Sequence, residues 1–441
     1  MNSLLPGHSA LEPSTQTSDP HRVMIHTGFA LIRAQTMQLV EGLSVEDLNL
    51  QSMPDASPLK WHLAHTTWFF ETFLLGPYSP GYQPLDPRYR ELFNSYYQGV
   101  GERWPRPQRA LLSRPSLGEV VQYRLHVDEA VRRFVQNASA ADWQAGAPLL
   151  EIGLHHEQQH QELMLTDLKH AWSLNPLGPK YREMVPASLA AADAGPKTQW
   201  VELQPGLYEI GHAGPGFAFD NESKRHRVWL EGCRLAERLV SNAQYLRFIE
   251  DGGYQRPELW LSAGWETVQR EGWQAPLYWR RGEQGWESFT LHGWRPLVGQ
   301  EPVCHVSYFE ADAYARWAGC RLPTEQEWEA AAACQPLTGW FVDSEHFHPA
   351  SRPAPDDVGP FKQMFGDVWQ WTASPYVAYP GYRPAAGALG EYNGKFMCDQ
   401  WVLRGASCAT PRTHARVTYR NFFPAAARWQ FSGLRLAQDL E

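Results

Sequence analysis

The chain lacks a long apolar run and an excess of positive charge. None of its 441 residues belongs to a stretch of roughly 18 consecutive apolar residues, so we expect no membrane span. Lys and Arg number 39 against 48 Asp and Glu, which gives a net charge of −9. No basic surface is then available to displace counterions, and we expect no nucleic acid as a partner.

The chain also lacks closely spaced cysteines. Its six cysteines are scattered, and no two form a C-x-x-C pair. Residues 1–20 are polar and carry no apolar segment typical of a secretion signal. We therefore expect a cytoplasmic protein with reduced thiols and a disordered tail over residues 1–20.

Aromatic residues are abundant, with 20 Trp, 18 Tyr and 19 Phe making up 13% of the chain. Part of the fold should therefore consist of irregular segments packed through aromatic rings. The length predicts two or three domains.

Residues 21–175 show helical periodicity of apolar side chains. The predicted helices cover His21 to Leu43, Pro58 to Gly76, Ser116 to Phe134 and Leu149 to Trp172. Ser116 and Glu119 have the spacing of a capping box at the start of the third helix. This arrangement predicts a four-helix bundle, a fold that builds metal sites from facing helices.

Residues 176–199 are rich in proline and alanine, which indicates a linker. Beyond it, residues 200–441 carry short strand-like pieces, many Gly and Trp residues, and helix-like segments at 242–249 and 308–318. This half is predicted to be a loop-rich α+β domain.

The fourth predicted helix contains the sequence HHEQQHQEL at residues 155–163. His156 and His160 lie on one face of a helix and can share a metal ion. The same letters fit the HExxH signature of zinc peptidases, in which Glu157 would be the general base. A polar helix face without a metal is the third interpretation.

A third ligand decides between these interpretations. His62 and His65, about one turn apart on the second predicted helix, can each face the fourth helix. A peptidase would instead take a ligand downstream of the motif, where Asp167 and His170 are the candidates.

Several long motifs together resemble the ergothioneine-biosynthesis sulfoxide synthases. They are KWHLAHT (60–66), FNSYY (93–97), HHEQQHQEL (155–163), LPTEQEWE (322–329), GDVWQWT (366–372), RGASC (404–408), YRNFFP (419–424) and GLRLA (433–437). The resemblance is greatest to the type with the FNSYY motif. It implies a DinB-like four-helix bundle followed by a C-type-lectin-like domain of the sulfatase-modifying-factor kind, an α+β fold.

The resemblance implies an Fe(II) site made by His65, His156 and His160. Three neutral imidazoles leave Fe(II) its full charge and open positions for substrates and O2. His62 and His155 are then expected behind the ligands or in packing. Glu157 is expected on the surface or behind the ligands rather than as a base.

The implied reaction is oxidative C–S bond formation. A thiol, either cysteine or γ-glutamylcysteine, is joined to hercynine (N-trimethylated histidine) with O2 as oxidant, and the product is a sulfoxide. Tyr96 and Tyr97 match the tyrosine pair of the family's second type and are the expected proton donors.

Substrate contacts are implied at six residues, Gln159, Asn421, Phe422, Phe423, Arg106 and Arg109. The glutamine and the asparagine match contacts to hercynine. The two phenylalanines offer aromatic faces to a quaternary ammonium, and the arginines offer forks for a donor carboxylate.

The chain departs from the family pattern at three places. Members that use γ-glutamylcysteine carry an Asp and an Arg after the C-terminal Asn, whereas Asn421 is followed here by apolar residues. This favours free cysteine unless Arg428 substitutes. Gln370 replaces the usual Glu between two tryptophans, and Cys408 lacks the second cysteine that formylglycine-generating enzymes use to hold copper.

Other functions remain open on the residues alone. A selenoneine synthase would join hercynine to a selenium donor by the same chemistry. A lectin-like binding module or a DinB-like thiol transferase would give no reason for Asn421 and the tyrosine pair to accompany the histidines.

Overall fold

The computed structural model describes residues 19–183 and 198–440. The predicted tail lies outside the described residues except for Asp19 and Pro20, and so does most of the predicted linker, from 184 to 197.

The N-terminal part is helical, as predicted. Its helices are α1 Pro20–Leu39, α2 Leu59–Phe70, α3 Gly76–Tyr78, α4 Tyr89–Leu92, α5 Leu117–Asn137 and α6 Ala140–Ser173. The long helices α1, α2, α5 and α6 form the bundle, in which α2 packs against both α5 and α6, and α1 packs against α6. A π-helical segment, Glu71–Leu75, joins α2 to α3.

The helix ends follow local capping chemistry. Ser116 and Glu119 form the predicted capping box at the start of α5. Helix α1 ends at Leu39, before the predicted Leu43, because the chain turns at Gly42, whose φ is +81°.

Helix α6 begins at Ala140, well before the predicted start at Leu149, with Ser139 as its N-cap. Its glycine at 153 does not limit the helix. A Cβ atom there would lie 2.3 Å from Phe70 Cε1, so this glycine lets α2 and α6 approach closely.

Helix α2 is the centre of the bundle. All of its residues are buried, which accounts for its rich content of aromatic and small side chains. Two histidines on this helix are therefore removed from water, as are the α6 side chains that face them.

The C-terminal part is the predicted mixture of helices and short strands. The helices are α7 Asn242–Glu250, α8 Ser262–Glu271, α9 Tyr308–Trp317 and α10 Glu325–Ala332. The strands are β1 Trp200–Leu203, β2 Gly206–Ile210, β3 His226–Leu230, β4 Cys233–Ala236, β5 Trp279–Gly282, β6 Gly285–Thr290, β7 Gly293–Pro296, β8 Trp369–Pro375, β9 Trp401–Arg404, β10 Asn421–Phe423, β11 Ser432–Gly433 and β12 Ala437–Asp439.

These strands form small separate sheets rather than one large one. Their orders are β1-β4-β12, β10-β9-β8-β11, β2-β3 and β5-β6-β7. All pairs are antiparallel except β8 with β11. Strand β10 pairs with β9 at the edge of its sheet, with Asn421 opposite Leu403.

Glu162 of α6 joins the bundle to the C-terminal part. Its buried carboxylate accepts hydrogen bonds from Trp369 Nε1 at 2.8 Å, Ser407 Oγ at 2.5 Å and Thr410 Oγ1 at 2.6 Å. The helix that carries HHEQQHQEL is thus bonded directly to the sheet that carries β10. Within the described ranges, no helix is both long and apolar enough to cross a membrane.

Candidate metal centre and substrate cavity

Three histidines meet between α2 and α6. His65 comes from α2, and His156 and His160 come from α6 one turn apart. One ligand atom from each lies within 4.8 Å of the other two, which is close enough to share one metal ion. All three side chains are buried.

The buried surroundings keep these imidazoles neutral. Burial, followed by the neighbouring histidines, lowers the pKa of His65 and His160 well below the usual value, and burial lowers that of His156 to about 3. Neutral imidazole is the form that binds a metal, because a protonated ring nitrogen has no free lone pair. The donor set therefore fits a divalent transition metal.

Aromatic rings hold the ligands in place. The Trp61 ring stacks on His65 at a centroid distance of 4.5 Å, and the Phe69 ring stacks on His156 at 4.5 Å. His65 Nδ1 lies 2.6 Å from the carbonyl oxygen of Phe93, to which it donates. The Nε2 atom of His65 is thereby left free for a metal.

Of the two positions expected for Glu157, on the surface or behind the ligands, the surface position is wrong. The side chain is fully buried and bonds to Arg33 at 2.9 Å, Arg124 at 3.0 Å and Thr36 at 2.7 Å. Burial alone would raise its pKa, but the two guanidinium groups hold the pKa of Glu157 at about 2. A carboxylate so paired is a poor base near neutral pH, which removes the catalytic residue that a zinc peptidase would need.

The tyrosine pair lies in the loop between α4 and α5. Asn94 shapes this loop, because its side chain accepts from the Tyr97 amide at 3.1 Å and donates to the Tyr97 carbonyl at 3.0 Å. The Tyr96 and Tyr97 rings stack at a centroid distance of 4.6 Å. Tyr96 lines the cavity, whereas Tyr97 is buried behind it against Trp68.

A segment of the C-terminal part clamps this tyrosine loop. Glu391 accepts hydrogen bonds from the amides of Gln98 at 2.9 Å and Gly99 at 2.7 Å. Lys395 donates to the Tyr96 carbonyl at 2.6 Å and lies over the Tyr96 ring at 4.8 Å. Nothing in the local sequence indicates this contact, because its partners are almost 300 residues apart.

A cavity of about 980 Å³ opens in front of the histidines and is walled by both parts of the chain. Nine of the predicted site residues line it, namely Tyr96, Arg106, Arg109, His156, Gln159, His160, Asn421, Phe422 and Phe423. His65 and Tyr97 lie directly behind this lining. The structure thus brings all the predicted site residues to one place.

Gln159 has a fixed orientation at the cavity wall. Its Oε1 accepts from the Tyr392 hydroxyl, and its Nε2 donates to the Tyr419 hydroxyl at 2.5 Å. Both tyrosines line the cavity, and sequence analysis assigned a role to neither. Tyr419 was detectable through its place two residues before Asn421, whereas Tyr392 lies in a loop with no recognisable pattern.

Strand β10 supplies an aromatic wall. The Phe422 ring stacks on Tyr376 at 4.0 Å and lies near Phe396 at 5.8 Å, and Phe423 contacts Trp429 edge-on at 6.2 Å. Asn421 lies at the start of this strand and also faces the cavity.

The two predicted arginines, Arg106 and Arg109, both line the cavity but differ in their exposure to solvent. Arg109 is buried, donates to Ser57 Oγ at 2.8 Å and lies 3.3 Å above the Trp61 ring. Arg106 is exposed and donates to the Asp55 carbonyl. Arg103, also exposed, joins Arg106 among the cavity-lining residues, so two solvated guanidinium groups stand at its rim.

Family comparisons agree with both parts of this architecture. The model described as "DinB superfamily" matches residues 29–164, and that described as "Sulfatase-modifying factor enzyme 1-like domain" matches 186–355 and 342–440. A hercynine oxygenase from Mycobacterium tuberculosis is 33% identical over 455 residues, covering 96% of this chain and 100% of that protein. The chain belongs to the hercynine oxygenase family.

Two further relatives are consistent with that membership. The hercynine oxygenase of Mycolicibacterium smegmatis is 32% identical, covering 93% of this chain and 97% of that protein. A formylglycine-generating enzyme from Bos taurus is 32% identical over 51% of this chain and 72% of its own length. The family predicted from the motifs is confirmed, and assignment to the type with the FNSYY motif stays a prediction.

One place where this hercynine oxygenase family member departs from the expected pattern, Gln370, has a structural explanation. Gln370 is fully buried, accepts from Trp328 Nε1 and Arg435 Nε at 3.0 Å each, and donates to the Met364 carbonyl at 2.8 Å. An ionised Glu has no hydrogen to donate to that carbonyl, so the amide suits this position.

Two other residues raised by the sequence lie away from the cavity lining. Arg428 is buried against Glu310 at 2.9 Å and stacks over Trp273 at 4.1 Å. It is therefore committed to the core and does not replace a charged substrate clamp. Cys408 is fully buried, and burial raises the pKa of its thiol well above the ordinary value.

Proposed function

We propose that this protein catalyses Fe(II)- and O2-dependent oxidative C–S bond formation between hercynine and cysteine in ergothioneine biosynthesis. The product is hercynylcysteine sulfoxide. One oxygen atom of O2 enters the sulfoxide and the other leaves as water, so that C–S bond formation and sulfur oxidation together take up four electrons. The observation that carries the proposal is that the three-histidine centre opens into one cavity with Tyr96, Gln159 and Asn421.

His65, His156 and His160 would hold the iron. Bound there, Fe(II) would supply open coordination positions and the capacity to activate O2. The protein contributes neutral, buried donors whose orientation is set by stacking and hydrogen bonds, so no ligand has to be deprotonated before the metal binds.

The aromatic wall of β10 suits the trimethylammonium group of hercynine. A quaternary cation is attracted to the faces of aromatic rings, and Phe422, Phe423 and Trp429 line this side of the cavity. Gln159, fixed by two tyrosine hydroxyls, presents a rigid amide edge to the same space. The name of the relatives, hercynine oxygenase, supports hercynine as the substrate.

The arginines at the rim suit the carboxylate of the thiol donor. Arg103 and Arg106 can approach it from the solvent side and form charge-assisted hydrogen bonds. Arg428 is engaged elsewhere, and the residues that line the cavity beyond Asn421 are uncharged, namely Phe422, Phe423, Pro424, Ala426, Ala427, Trp429 and Gln430. No cation is offered there to a second, glutamyl carboxylate, which favours cysteine over γ-glutamylcysteine.

Tyr96 is suited to the role of proton donor. It lines the same cavity as His156 and His160, and burial raises the pKa of its hydroxyl above the ordinary value. The hydroxyl therefore carries its proton at neutral pH, which a proton donor requires. Lys395 holds the carbonyl of this tyrosine in place, and Glu391 holds the backbone that follows it.

The direct test uses the full-length protein loaded with Fe(II) in the absence of oxygen. Hercynine is added with either cysteine or γ-glutamylcysteine, O2 is then admitted, and the products are identified by mass spectrometry. We expect a hercynine–cysteine adduct with one added oxygen, formed faster than any adduct of γ-glutamylcysteine. Absence of both adducts would overturn the proposed reaction, and a faster reaction with γ-glutamylcysteine would overturn the proposed donor.

A further inference from the structure

Two buried polar side chains stand in a row behind His160. Its Nδ1 atom lies 2.7 Å from His62 Nδ1, and His62 Nε2 lies 3.0 Å from Asp167 Oδ2. The same carboxylate oxygen accepts from the Ser57 amide at 2.8 Å. His62 and Asp167 are both buried, with exposures of 2% and 5%.

The positions of the hydrogens in this row follow from the carboxylate of Asp167 at its end. A carboxylate can only accept, so His62 Nε2 must carry a hydrogen. In the neutral ring His62 Nδ1 is then bare, and it accepts from His160 Nδ1–H. This leaves His160 Nε2 with its lone pair free, as a metal ligand requires. If His62 Nδ1 donated to His160 Nδ1 instead, the hydrogen of His160 would lie on its Nε2 atom, which could then not bind a metal.

The other two ligands are supported differently. His65 donates from Nδ1 to a backbone carbonyl, and His156 Nδ1 is buried without a hydrogen-bond partner among the described residues. Only His160 has a chain of side chains behind it that ends on a negative charge. The three ligands are therefore unequal in their supporting contacts.

We propose that Asp167 and His62 form a relay that selects the metal-binding tautomer of His160 and strengthens it as a donor. Both residues also line the cavity, but in this role they are positioning residues, because each acts on the metal through His160. The inference rests on the metal centre of the proposed function. It extends that centre from three residues to five and makes the α2–α6 contact part of it.

The test measures Co(II) affinity of the full-length metal-free protein by competition with a chromogenic chelator. His62→Phe keeps a ring but removes both nitrogens, and Asp167→Ala removes the acceptor. Each should weaken Co(II) binding about 10- to 100-fold, the usual cost of losing the group behind a metal ligand. Asp167→Asn can still place an amide oxygen in the same position, so its affinity should lie between those of wild type and Asp167→Ala.

His170→Asn is the matched control. His170 lies on the same helix just beyond Asp167 and bonds to Ser52 at 2.7 Å, outside the row. We expect its Co(II) affinity to stay within about twofold of wild type. Thermal unfolding of each metal-free variant, followed by circular dichroism, reports any general loss of structure.

A double variant separates a relay from two independent structural effects. Because Asp167 acts through His62, adding Asp167→Ala to His62→Phe should weaken binding little beyond His62→Phe alone, whereas independent effects would multiply. The relay would be overturned if the two losses multiplied in the double variant, or if the single variants left the Co(II) affinity unchanged. It would also be overturned if the loss of affinity simply followed the loss of unfolding temperature across all variants, including His170→Asn. Failure of the wild-type protein to bind Co(II) would instead overturn the metal centre itself.

Discussion

The helical and C-terminal parts of this protein contribute to one cavity in different ways. The helical part places His65, His156 and His160 on two buried helices whose regular geometry sets their spacing. The C-terminal part supplies Asn421, Phe422 and Phe423 from a three-residue edge strand, and Tyr392 and Tyr419 from irregular segments. Rigid helices thus hold the groups that must meet at one point, and irregular segments shape the surrounding surface.

The largest effect is expected from removing a histidine of the helical part. His65→Ala should abolish turnover and leave less than one iron per protein, because two imidazoles hold Fe(II) poorly. Iron content of the purified variant and turnover with hercynine and cysteine are the measurements.

His155→Ala is the control for this change. His155 precedes a ligand but faces the C-terminal part, where it stacks on Phe217 at 3.8 Å and contacts His414 at 2.9 Å. We expect it to retain iron. Equal iron content in the two variants would contradict the proposed ligand set.

The second effect concerns stability rather than chemistry. Glu157→Gln leaves Arg33 and Arg124 without their shared carboxylate, and we expect the free energy of unfolding to fall by about 3–5 kcal/mol. The folded fraction should still turn over, since Glu157 is not a base. Denaturant unfolding and turnover per folded protein test the two statements.

The ion pairs of Glu157 with Arg33 and Arg124 also predict that the free energy of unfolding depends on pH. The folded pKa of Glu157, about 2, is below the ordinary 4.5, so its stabilising contribution is fully present above pH 4.5 and is lost as pH falls through 2. The drop in unfolding free energy over this window should be smaller in Glu157→Gln. An equal drop in both proteins would show that other groups cause it.

In the helical part, the ligand histidines and Glu157 differ in how far the sequence could predict them. The spacing of His156 and His160 and the capping box at Ser116 are local, so they were predictable from helix geometry. The partners of Glu157 lie on α1 and α5, and its burial depends on how four helices pack. No local pattern encodes that packing, so the sequence alone did not exclude a surface position for Glu157.

The C-terminal part was predictable mainly through resemblance. Asn421 matched a family motif. Glu391 and Lys395, in contrast, lie in two short 3-10 helices with Tyr392 between them, and no periodic pattern marks this segment. Within the helical part, periodicity placed both His62 and His65 near the fourth helix but did not choose between them. The structure places His65 in the three-histidine group and His62 behind His160.

The third effect distinguishes the two tyrosines. Tyr96→Phe should lower sulfoxide formation about 100-fold, as expected for loss of a general acid, and divert turnover toward plain oxidation of the thiol. Tyr97→Phe should have a smaller effect because Tyr97 lies behind the cavity lining. The ratio of sulfoxide to oxidised thiol is the measurement, and unchanged ratios in both variants would refute a role for the pair.

The smallest effect should come from the aromatic wall. Phe422→Ala removes one ring from the proposed ammonium site, so the KM for hercynine should rise about 10-fold. Iron content should not change, because the wall belongs to the other part of the chain. Loss of iron in this variant would contradict the assignment of metal binding to the helical part and of the aromatic wall to the C-terminal part.

In the proposed reaction, hercynine is joined to cysteine with an oxygen atom from O2 in one cavity built from both parts. Turnover of the Fe(II)-loaded protein under ¹⁸O2 tests it most directly, with the product mass read by mass spectrometry. We predict a hercynine–cysteine adduct that carries one ¹⁸O atom. An adduct whose oxygen comes from water would contradict the proposed reaction, and so would labelled cysteine oxidation products without any C–S adduct.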